Sequence, residues 1–268
     1  MFLFRRLALA SICLAFALAG CKENISVIEP PVDTTSPLTL KVYPAFGAET
    51  LQLGKKYRTL AGDSVQFTIA KLFISEIALV DSNGAATSID GVGFVDFNNA
   101  AVISQGFYSL TVRAKPGLYR GVKFSVGVPY ALNHQNPATL PEPLLGSIDQ
   151  MFWSWNPGFI FNRMEGKVDS AGVQKDFLYH IGTDNLKATV QLATITGGGA
   201  TTFIVASSGA NTFEINADYS KVFTTGLDTQ NPMKPSLNIA ERISHSFGSE
   251  LPLAYQVFAN TTAMFSKK

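Results

Sequence analysis

The sequence predicts an all-β protein, a β-sandwich of the immunoglobulin-like or jelly-roll-like type with about ten strands and one or two short helices. Alternation is clear at the start of the folded region, where Leu38, Leu40 and Val42 would share one face of a strand. The next apolar segment, residues 65–84, is rich in β-branched residues and ends in the turn signal Ser-Asn-Gly. Helical periodicity is scarce along the rest of the chain.

Further strand segments follow at intervals set by Gly, Asn and Asp, which are typical turn residues. They are GVGFVDF (91–97), GFYSLTV (106–112), YRGVKFSVGV (119–128), GFIFNRMEG (158–166), DFLYHIG (176–182), LKATVQLA (186–193), TTFIVA (201–206) and NTFEINADY (211–219). Two segments favour helices instead. Residues 143–155 predict a short helix leading into both tryptophans of the chain, and residues 252–265 space apolar side chains roughly helically.

The N-terminus has the pattern of an export signal. Two arginines precede a short apolar stretch, residues 7–17, which is too short for a membrane span. Leu-Ala-Gly-Cys at 18–21 resembles the bacterial lipobox, which implies removal of residues 1–20 and lipidation of Cys21. The alternative is an ordinary secretory signal with an incidental cysteine.

Residues 21–37 are rich in proline and predict a flexible tether from the lipidated Cys21 to a single domain over residues 38–268. The residue after Cys21 is Lys22, and not the Asp that resembles the retention signal of inner-membrane lipoproteins. That resemblance implies an outer-membrane lipoprotein of the cell envelope, facing either the periplasm or the cell surface.

Composition limits the chemistry that the mature domain can perform. Removing residues 1–20 takes away two of the 21 basic residues and none of the 20 acidic ones, which leaves a net charge of −1 and no basic block. Nucleic acid is therefore excluded as a partner. Once Cys13 leaves with the signal and Cys21 carries lipid, neither a disulfide nor a thiolate metal site can form within the domain.

Motifs of the common enzyme classes are absent from the sequence. We find no Gly-x-Ser-x-Gly elbow, no His-Glu-x-x-His pair and no Walker-type lysine loop. A hydrolase would need a Ser–His pair, and nothing in the sequence marks one. The protein is therefore predicted not to be an enzyme.

The three histidines of the chain are the candidate metal ligands. His134 lies in a Pro-rich loop after a strand, His180 ends a strand just before Gly182, and His245 follows a long Pro-interrupted loop. A lone His at a strand end is more often a hydrogen-bonded or exposed residue than a ligand. An exported site built from imidazole without cysteine suits copper or zinc.

Three segments of the chain resemble the MbnP-like copper-binding domain family. They are residues 119–138, 143–166 and 176–185, which contain Gly-Val-Pro (127–129), Leu-Asn-His (132–134), Asn-Pro (136–137), Met-x-Trp-x-Trp (151–155), Gly-Phe (158–159) and His-x-Gly (180–182). The C-terminal segment with His245 and an Ala-x-x-x-x-x-Asn helix extends the resemblance more weakly. The resemblance implies an exported β-sandwich that binds copper for acquisition or storage.

The same resemblance assigns residues to the copper site. It implies His134 and His180 as imidazole ligands, and His245 as either a third ligand or a residue that supports the ligands. Some relatives carry a His-rich C-terminal segment, whereas His245 stands alone in this one. It implies that Trp153 or Trp155 is oxidised to kynurenine, whose aryl amine can coordinate a metal. A MauG-like dihaem enzyme is the partner that the resemblance implies for this oxidation.

Three further residues are candidates for supporting that site. Asn133 and Asp184 would orient the imidazole rings. Met151 is either a soft ligand or a residue that fills the core. If the Trp segment is extended, the two tryptophans share a face; if it is helical, they diverge. Two alternative functions stay open, namely a structural or adhesive surface lipoprotein without metal and a copper-dependent oxidase.

Overall fold

The computed structural model describes residues 33–268, except for residues 61, 155–157, 171, 194, 197–198, 201 and 224–241. Thr34–Lys268 form one compact unit. The predicted signal peptide, residues 1–20, and most of the predicted tether, residues 21–37, lie outside the described residues. Within the described part of the chain, no helix combines the length and apolarity needed to cross a membrane.

The described residues form eighteen strands, several of them only two or three residues long. They are β1 Ser36–Phe46, β2 Glu49–Thr50, β3 Lys56–Arg58, β4 Ser64–Asp81, β5 Ala86–Ile89, β6 Gly93–Asp96, β7 Tyr108–Ala114, β8 Gly117–Val126, β9 Phe152–Trp153, β10 Gly158–Ser170, β11 Val173–Gly182, β12 Ala188–Ala193, β13 Ile195–Thr196, β14 Gly199–Ala200, β15 Phe203–Val205, β16 Asn211–Asp218, β17 Ile243–Ser244 and β18 Phe265–Lys267.

Helices are short and lie between the strands. The α-helices of the described residues are α1 Ala100–Gln105, α2 Tyr130–Asn133, α3 Leu144–Met151 and α4 Leu251–Ala263. Single 3₁₀ turns occur at Pro137–Thr139, Asp184–Leu186, Tyr219–Phe223 and Gly248–Glu250.

Two sheets stack to make the sandwich, and the prediction of an all-β sandwich is confirmed. In the smaller sheet, β1 pairs with parallel β16 and antiparallel β7 and β2, and β18 extends beyond β16. The larger sheet has the order β12-β8-β4-β10-β11-β17, with shorter strands attached to β4, β8 and β10. Side chains from both inner faces, such as Leu40, Ile215, Phe67, Phe124 and Phe177, form one continuous buried core.

The outer face of the larger sheet carries a second, smaller core. Phe73 of β4 and Phe159 of β10 pack there with Leu144 and Met151 of α3 and with Trp153 of β9. Both faces of β4 and β10 are therefore buried, so these strands read as apolar runs in the sequence rather than as alternating patterns. We call this cluster the second core.

Two helices are present in addition to the two that the sequence favoured. The expected helices are α3, which leads into Trp153, and α4 near the C-terminus. Of the others, α1 is capped at its start by the Asn99 side chain and ends at Gly106, where φ is +79°. Because α1 and α2 span fewer than two turns, they carry too little periodicity to be detected from sequence.

The first strand begins two residues before the predicted domain boundary. Ser36 and Pro37, predicted as the end of the tether, lie in β1 opposite Ala114 and Arg113 of β7. Proline is tolerated in a strand only where its missing N–H does not break the ladder. Its presence at position 37 is what made this stretch read as part of a linker.

Candidate metal centre

A row of polar side chains crosses the outer face of the larger sheet beside the second core. Asp96 of β6 lies opposite Lys71 of β4, and Lys71 lies opposite Arg163 of β10. Arg163 in turn lies opposite His180 of β11, and β17 runs parallel to β11 in a register that places His245 beside His180. We call these five residues the polar row. It brings two of the chain's three histidines together.

His180 is almost enclosed, with only 9% of the residue exposed. Its Nε2 lies 2.8 Å from Oε1 of Glu165 on β10. Because a carboxylate only accepts hydrogen bonds, the ring proton is on Nε2 and the lone pair of the neutral ring is on Nδ1. Burial lowers the pKa of His180 below its ordinary value, although the bond to Glu165 opposes the shift. The ring is therefore neutral at neutral pH, which is the form that binds metals.

His245 approaches His180 edge to face. The ring centroids are 5.2 Å apart and the ring planes are at 84°. Nδ1 of His245 lies 3.0 Å from Oε2 of Glu250, and the backbone N–H of His245 donates to the same oxygen at 2.6 Å. The Glu250 carboxylate thus orients the ring and leaves the lone pair on Nε2 free. His245, Phe247 and Glu250 line an open cavity of about 550 Å³.

Ser246 fixes the two histidine segments relative to each other. Its hydroxyl donates to the carbonyl oxygen of His180 at 2.9 Å and accepts from the N–H of Gly182 at 3.1 Å. Ser246 is buried, and its φ of +59° lies in the left-handed region that residues other than glycine rarely adopt. Strain of this kind persists where the surroundings over-determine the backbone, as these two hydrogen bonds do here.

Glu165 is shared between His180 and Arg163. Nε and a terminal nitrogen of Arg163 lie 2.7 and 2.6 Å from Oε1 of Glu165. Burial by itself raises the pKa of Glu165, but the hydrogen bonds from His180 and Arg163 outweigh it and leave the pKa below its ordinary value. The other terminal nitrogen of Arg163 donates to the carbonyl oxygen of Gln150 at 2.6 Å. Arg163 therefore contacts both the partner of His180 and the last turn of α3.

Trp153 covers the strand that carries His180. A Cβ added to Gly182 would lie 2.5 Å from Cζ3 of Trp153, so the indole ring occupies the space that a side chain at position 182 would take. Positions 180 and 182 lie on the same face of β11, about 7 Å apart for an ordinary strand rise. Trp153 is 6% exposed and pairs through β9 with Gly158. Its ring is therefore the next group along the strand from His180.

His134 makes its contacts at the end of α2. Its Nε2 lies 2.7 Å from Oδ2 of Asp184, and its ring centroid is 4.4 Å from that of Tyr130. The Asn133 amide donates to Oδ1 of Asp184 at 3.0 Å and accepts from the N–H of Phe159 at 2.7 Å. The His134 side chain is 45% exposed. Asp184, predicted to orient a ligand, is thus the hydrogen-bond partner of His134, and Asn133 supports Asp184.

The remaining predicted site residues fall into two groups. Met151 is fully buried in the second core, where it packs with apolar side chains. Trp155, the other candidate for oxidation, and Cys21, the predicted lipidation site, lie outside the described residues.

The donor set of the His180–His245 pair fits copper. Among the described residues, no group of three or more His, Cys, Asp or Glu side chains is arranged to hold a metal ion. The pair offers two neutral imidazole nitrogens, whereas structural zinc takes four ligands and calcium takes six to eight oxygens. Imidazole suits copper as it does zinc, iron and nickel, and of these metals reduced copper, Cu(I), is the one that two neutral nitrogens in a near-linear arrangement can satisfy.

Four residues of this arrangement are absent from the sequence-based assignment, namely Arg163, Glu165, Ser246 and Glu250. The charged residues at alternate positions of the otherwise apolar segment 158–166 were the available signal for the first two. They became meaningful only when the register of β10 and β11 placed them around His180. Nothing in the local sequence distinguishes Ser246, whose role follows from its backbone conformation and its partners on another strand.

Comparisons with known proteins agree with the resemblance seen in the sequence. A family model described as MbnP matches residues 35–240. The solved structure of MbnP from Methylosinus trichosporium is similar with a TM-score of 0.50 and 18% sequence identity, over 70% of this chain and 78% of that one. At this identity the structural likeness speaks for the fold alone. None of the curated proteins matches the chain.

Proposed function

The chain belongs to the MbnP family, and from that premise we propose that it binds copper between Nδ1 of His180 and Nε2 of His245, for acquisition or storage. The observation that carries this proposal is the contact of the two rings, whose centroids are 5.2 Å apart. Each ring gives one nitrogen to a carboxylate and keeps the other free. Imidazoles held in this way are more basic and better oriented ligands.

Copper in its reduced state is the metal that this pair would take. Two neutral nitrogens without added charge favour Cu(I) over harder ions that need carboxylate oxygens. Glu165 is occupied by Arg163 and His180, and Glu250 by the His245 backbone and ring. Both carboxylates therefore act on the rings in this proposal rather than on the metal.

We propose a second role for His134, the ligand that the family resemblance implies, in binding the metal through its Nδ1. Its Nδ1 is free when Nε2 bonds Asp184. Its half-exposed ring supports a role in taking up the metal near the surface. The family resemblance pairs it with His180, so variants of His134 belong in every test.

Trp153 is the residue that we propose as the site of oxidation by a dihaem enzyme. Its ring is the neighbour of His180 along β11. In the conversion, the C2–C3 bond of the indole breaks and each of the two carbons gains one oxygen atom, supplied either by one dioxygen or by two hydrogen peroxides that leave two waters. Hydrolysis of the resulting formamide releases formate and leaves the aryl amine of kynurenine. That amine is a third nitrogen donor beside the pair.

The location of the protein is proposed from its N-terminus. Lipidation of Cys21 would hold the domain at an outer membrane, on the periplasmic or the surface side. A tether of about fifteen residues gives the domain a reach of several nanometres. This arrangement suits a protein that collects a metal inside the envelope.

Competition titration with a chromophoric Cu(I) chelator tests the proposal. We expect the wild-type mature chain to bind one Cu(I) and the double variant His180→Ala/His245→Ala to lose about a hundredfold or more in affinity. His134→Ala should cause a smaller loss. Equal losses in His134→Ala and His180→Ala, with none in His245→Ala, would support the His134–His180 pair instead. Absence of copper binding by the kynurenine-containing wild type would refute the proposed function.

A further inference from the structure

Arg163 lies between the two parts of the centre that the sequence keeps separate. One part is the histidine pair, in which His180 shares Glu165 with Arg163. The other is the segment that runs from α3 into Trp153, held through the carbonyl oxygen of Gln150. The guanidinium group reaches both from one side chain because it offers five donors in a rigid plane.

The end of α3 is fixed by two cations of the polar row. Arg163 donates to the backbone carbonyl of Gln150, and Lys71 bonds the Gln150 side-chain oxygen. Lys71 is buried and pairs with Asp96 at 3.1 Å. The last carbonyls of a helix have no partner within the helix and carry partial negative charge, so cations stabilise them there. Because β9 follows α3 directly, the position of Gln150 sets the position of Trp153.

Arg163 also reaches His180 through a single intervening group, the Glu165 carboxylate. Arg163 and His180 are directly opposite in the β10–β11 register, and both bond Oε1 of Glu165. A rotation of the His180 ring therefore changes the geometry at Glu165, and Arg163 is the group that must follow. One side chain, Arg163, thus bonds both Glu165 and the end of α3.

We propose that Arg163 is a positioning residue that couples the histidine pair to Trp153, so that metal binding at the pair and the placement of the Trp153 ring depend on each other. The coupling rests on the proposed copper function and adds a regulatory link to it. Coupling of this kind is reciprocal: a change at Trp153 that moves the end of α3 alters the metal affinity by the same factor by which metal alters Trp153.

The Arg163 bonds to Gln150 and Glu165 would matter most during the oxidation of Trp153. Oxidation of Trp153 opens the indole ring and frees a chain that is held at Gln150 on one side and against Gly182 on the other. Arg163 keeps the end of α3 in place during that change, and it keeps Glu165 on His180. The new amine therefore forms next to the pair, and any shift that still reaches the end of α3 is passed to His180 through Arg163 and Glu165.

The test uses the full mature chain with Trp155→Phe, so that fluorescence reports Trp153 alone. Arg163→Met removes both arms of the link, and Arg163→Lys keeps the charge without the planar fork. Lys167→Met is the matched control. Lys167 is exposed, and its substitution removes the same charge from the same face of β10. Circular dichroism and thermal unfolding show which variants are folded, and Arg163→Lys decides the question if Arg163→Met does not fold.

Two readouts separate coupling from simple destabilisation. We expect Arg163→Met to weaken Cu(I) binding by about tenfold or more, the usual effect of losing a group that supports a metal ligand. We also expect loss of most of the change in Trp153 emission at copper saturation, with Arg163→Lys intermediate and Lys167→Met like wild type. In a cycle with Trp153→Phe, the effects on copper affinity should be non-additive.

The possible outcomes are distinguishable. Additive effects, or an unchanged Trp153 response in saturated Arg163→Met, overturn the coupling even if affinity falls. If the kynurenine-containing wild-type chain binds no copper, the proposed function fails, and acrylamide quenching of Trp153 in the unmodified, metal-free protein still tests the link to α3. Quenching that is equal in wild type and Arg163→Met would overturn that link as well.

Discussion

His180 near the end of β11 and His245 directly after the parallel strand β17 meet edge to face, with their ring centroids 5.2 Å apart. Each ring is anchored by its own carboxylate, through Nε2 for His180 and through Nδ1 for His245. The free nitrogens are therefore of different kinds on the two rings. This asymmetry follows from the two strands, since Glu165 comes from the neighbouring strand and Glu250 from the turn that follows His245.

Gly182 is predicted to be required for the placement of Trp153. In Gly182→Ala, the new Cβ would meet Trp153 Cζ3 at 2.5 Å and the Phe159 carbonyl oxygen at 2.7 Å. We expect a loss of about 1–3 kcal/mol in the free energy of unfolding, as for other overpacked cores, and a shift of Trp153 emission. Urea unfolding and fluorescence would measure both. Gly117→Ala, where the nearest atoms are 3.5 Å away, should have neither effect.

Ser246 is predicted to matter for both stability and affinity. Ser246→Ala leaves the His180 carbonyl and the Gly182 N–H without their hydroxyl partner. Leaving buried polar groups unsatisfied costs about 1–3 kcal/mol, and the two histidine segments should then lose their fixed spacing, which lowers copper affinity. Chemical denaturation and copper titration would show the two losses together. The exposed Ser249→Ala is the control in the same segment, and an equal loss there would contradict the assignment.

Acid should destabilise the metal-free protein through His180. Its pKa in the folded state is lowered from 6.5 by burial, so the unfolded chain binds the proton more readily. The stability contributed by the neutral ring is thus present above pH 6.5 and is lost as the pH falls through the lower folded-state value. Unfolding free energies measured in a chelator from pH 7.5 down to pH 5 should fall, and His180→Gln should fall less. Parallel curves for the two proteins would disprove this.

Oxidation is predicted to occur at Trp153. When the protein is produced together with the dihaem enzyme of its native host, peptide mass spectrometry should find the exchange of one carbon for one oxygen at position 153. Trp155→Phe should keep the modification and Trp153→Phe should lose it. Modification that persists in Trp153→Phe would instead assign it to Trp155. Unmodified protein from a host without the enzyme carries no weight either way.

The fold class followed from short-range patterns. Alternation in residues 38–43, turn residues at the segment ends and scarce helical spacing are local properties, and each strand records them independently. The helix before Trp153 was also expected, and the structure places α3 there. The second core was not expected, because burial of both faces of β4 and β10 produces apolar runs that do not reveal what covers the outer face.

The sequence by itself determined the family, the sandwich and the three histidines as the candidate ligands, because motifs and strand patterns are properties of short stretches of the chain. Only the tertiary structure decided which histidines meet. His180 and His245 are separated by 64 intervening residues, and their contact depends on the parallel register of β11 and β17. The same holds for Arg163, whose link between Glu165 and Gln150 exists only because strand pairing brings distant segments to one face of one sheet.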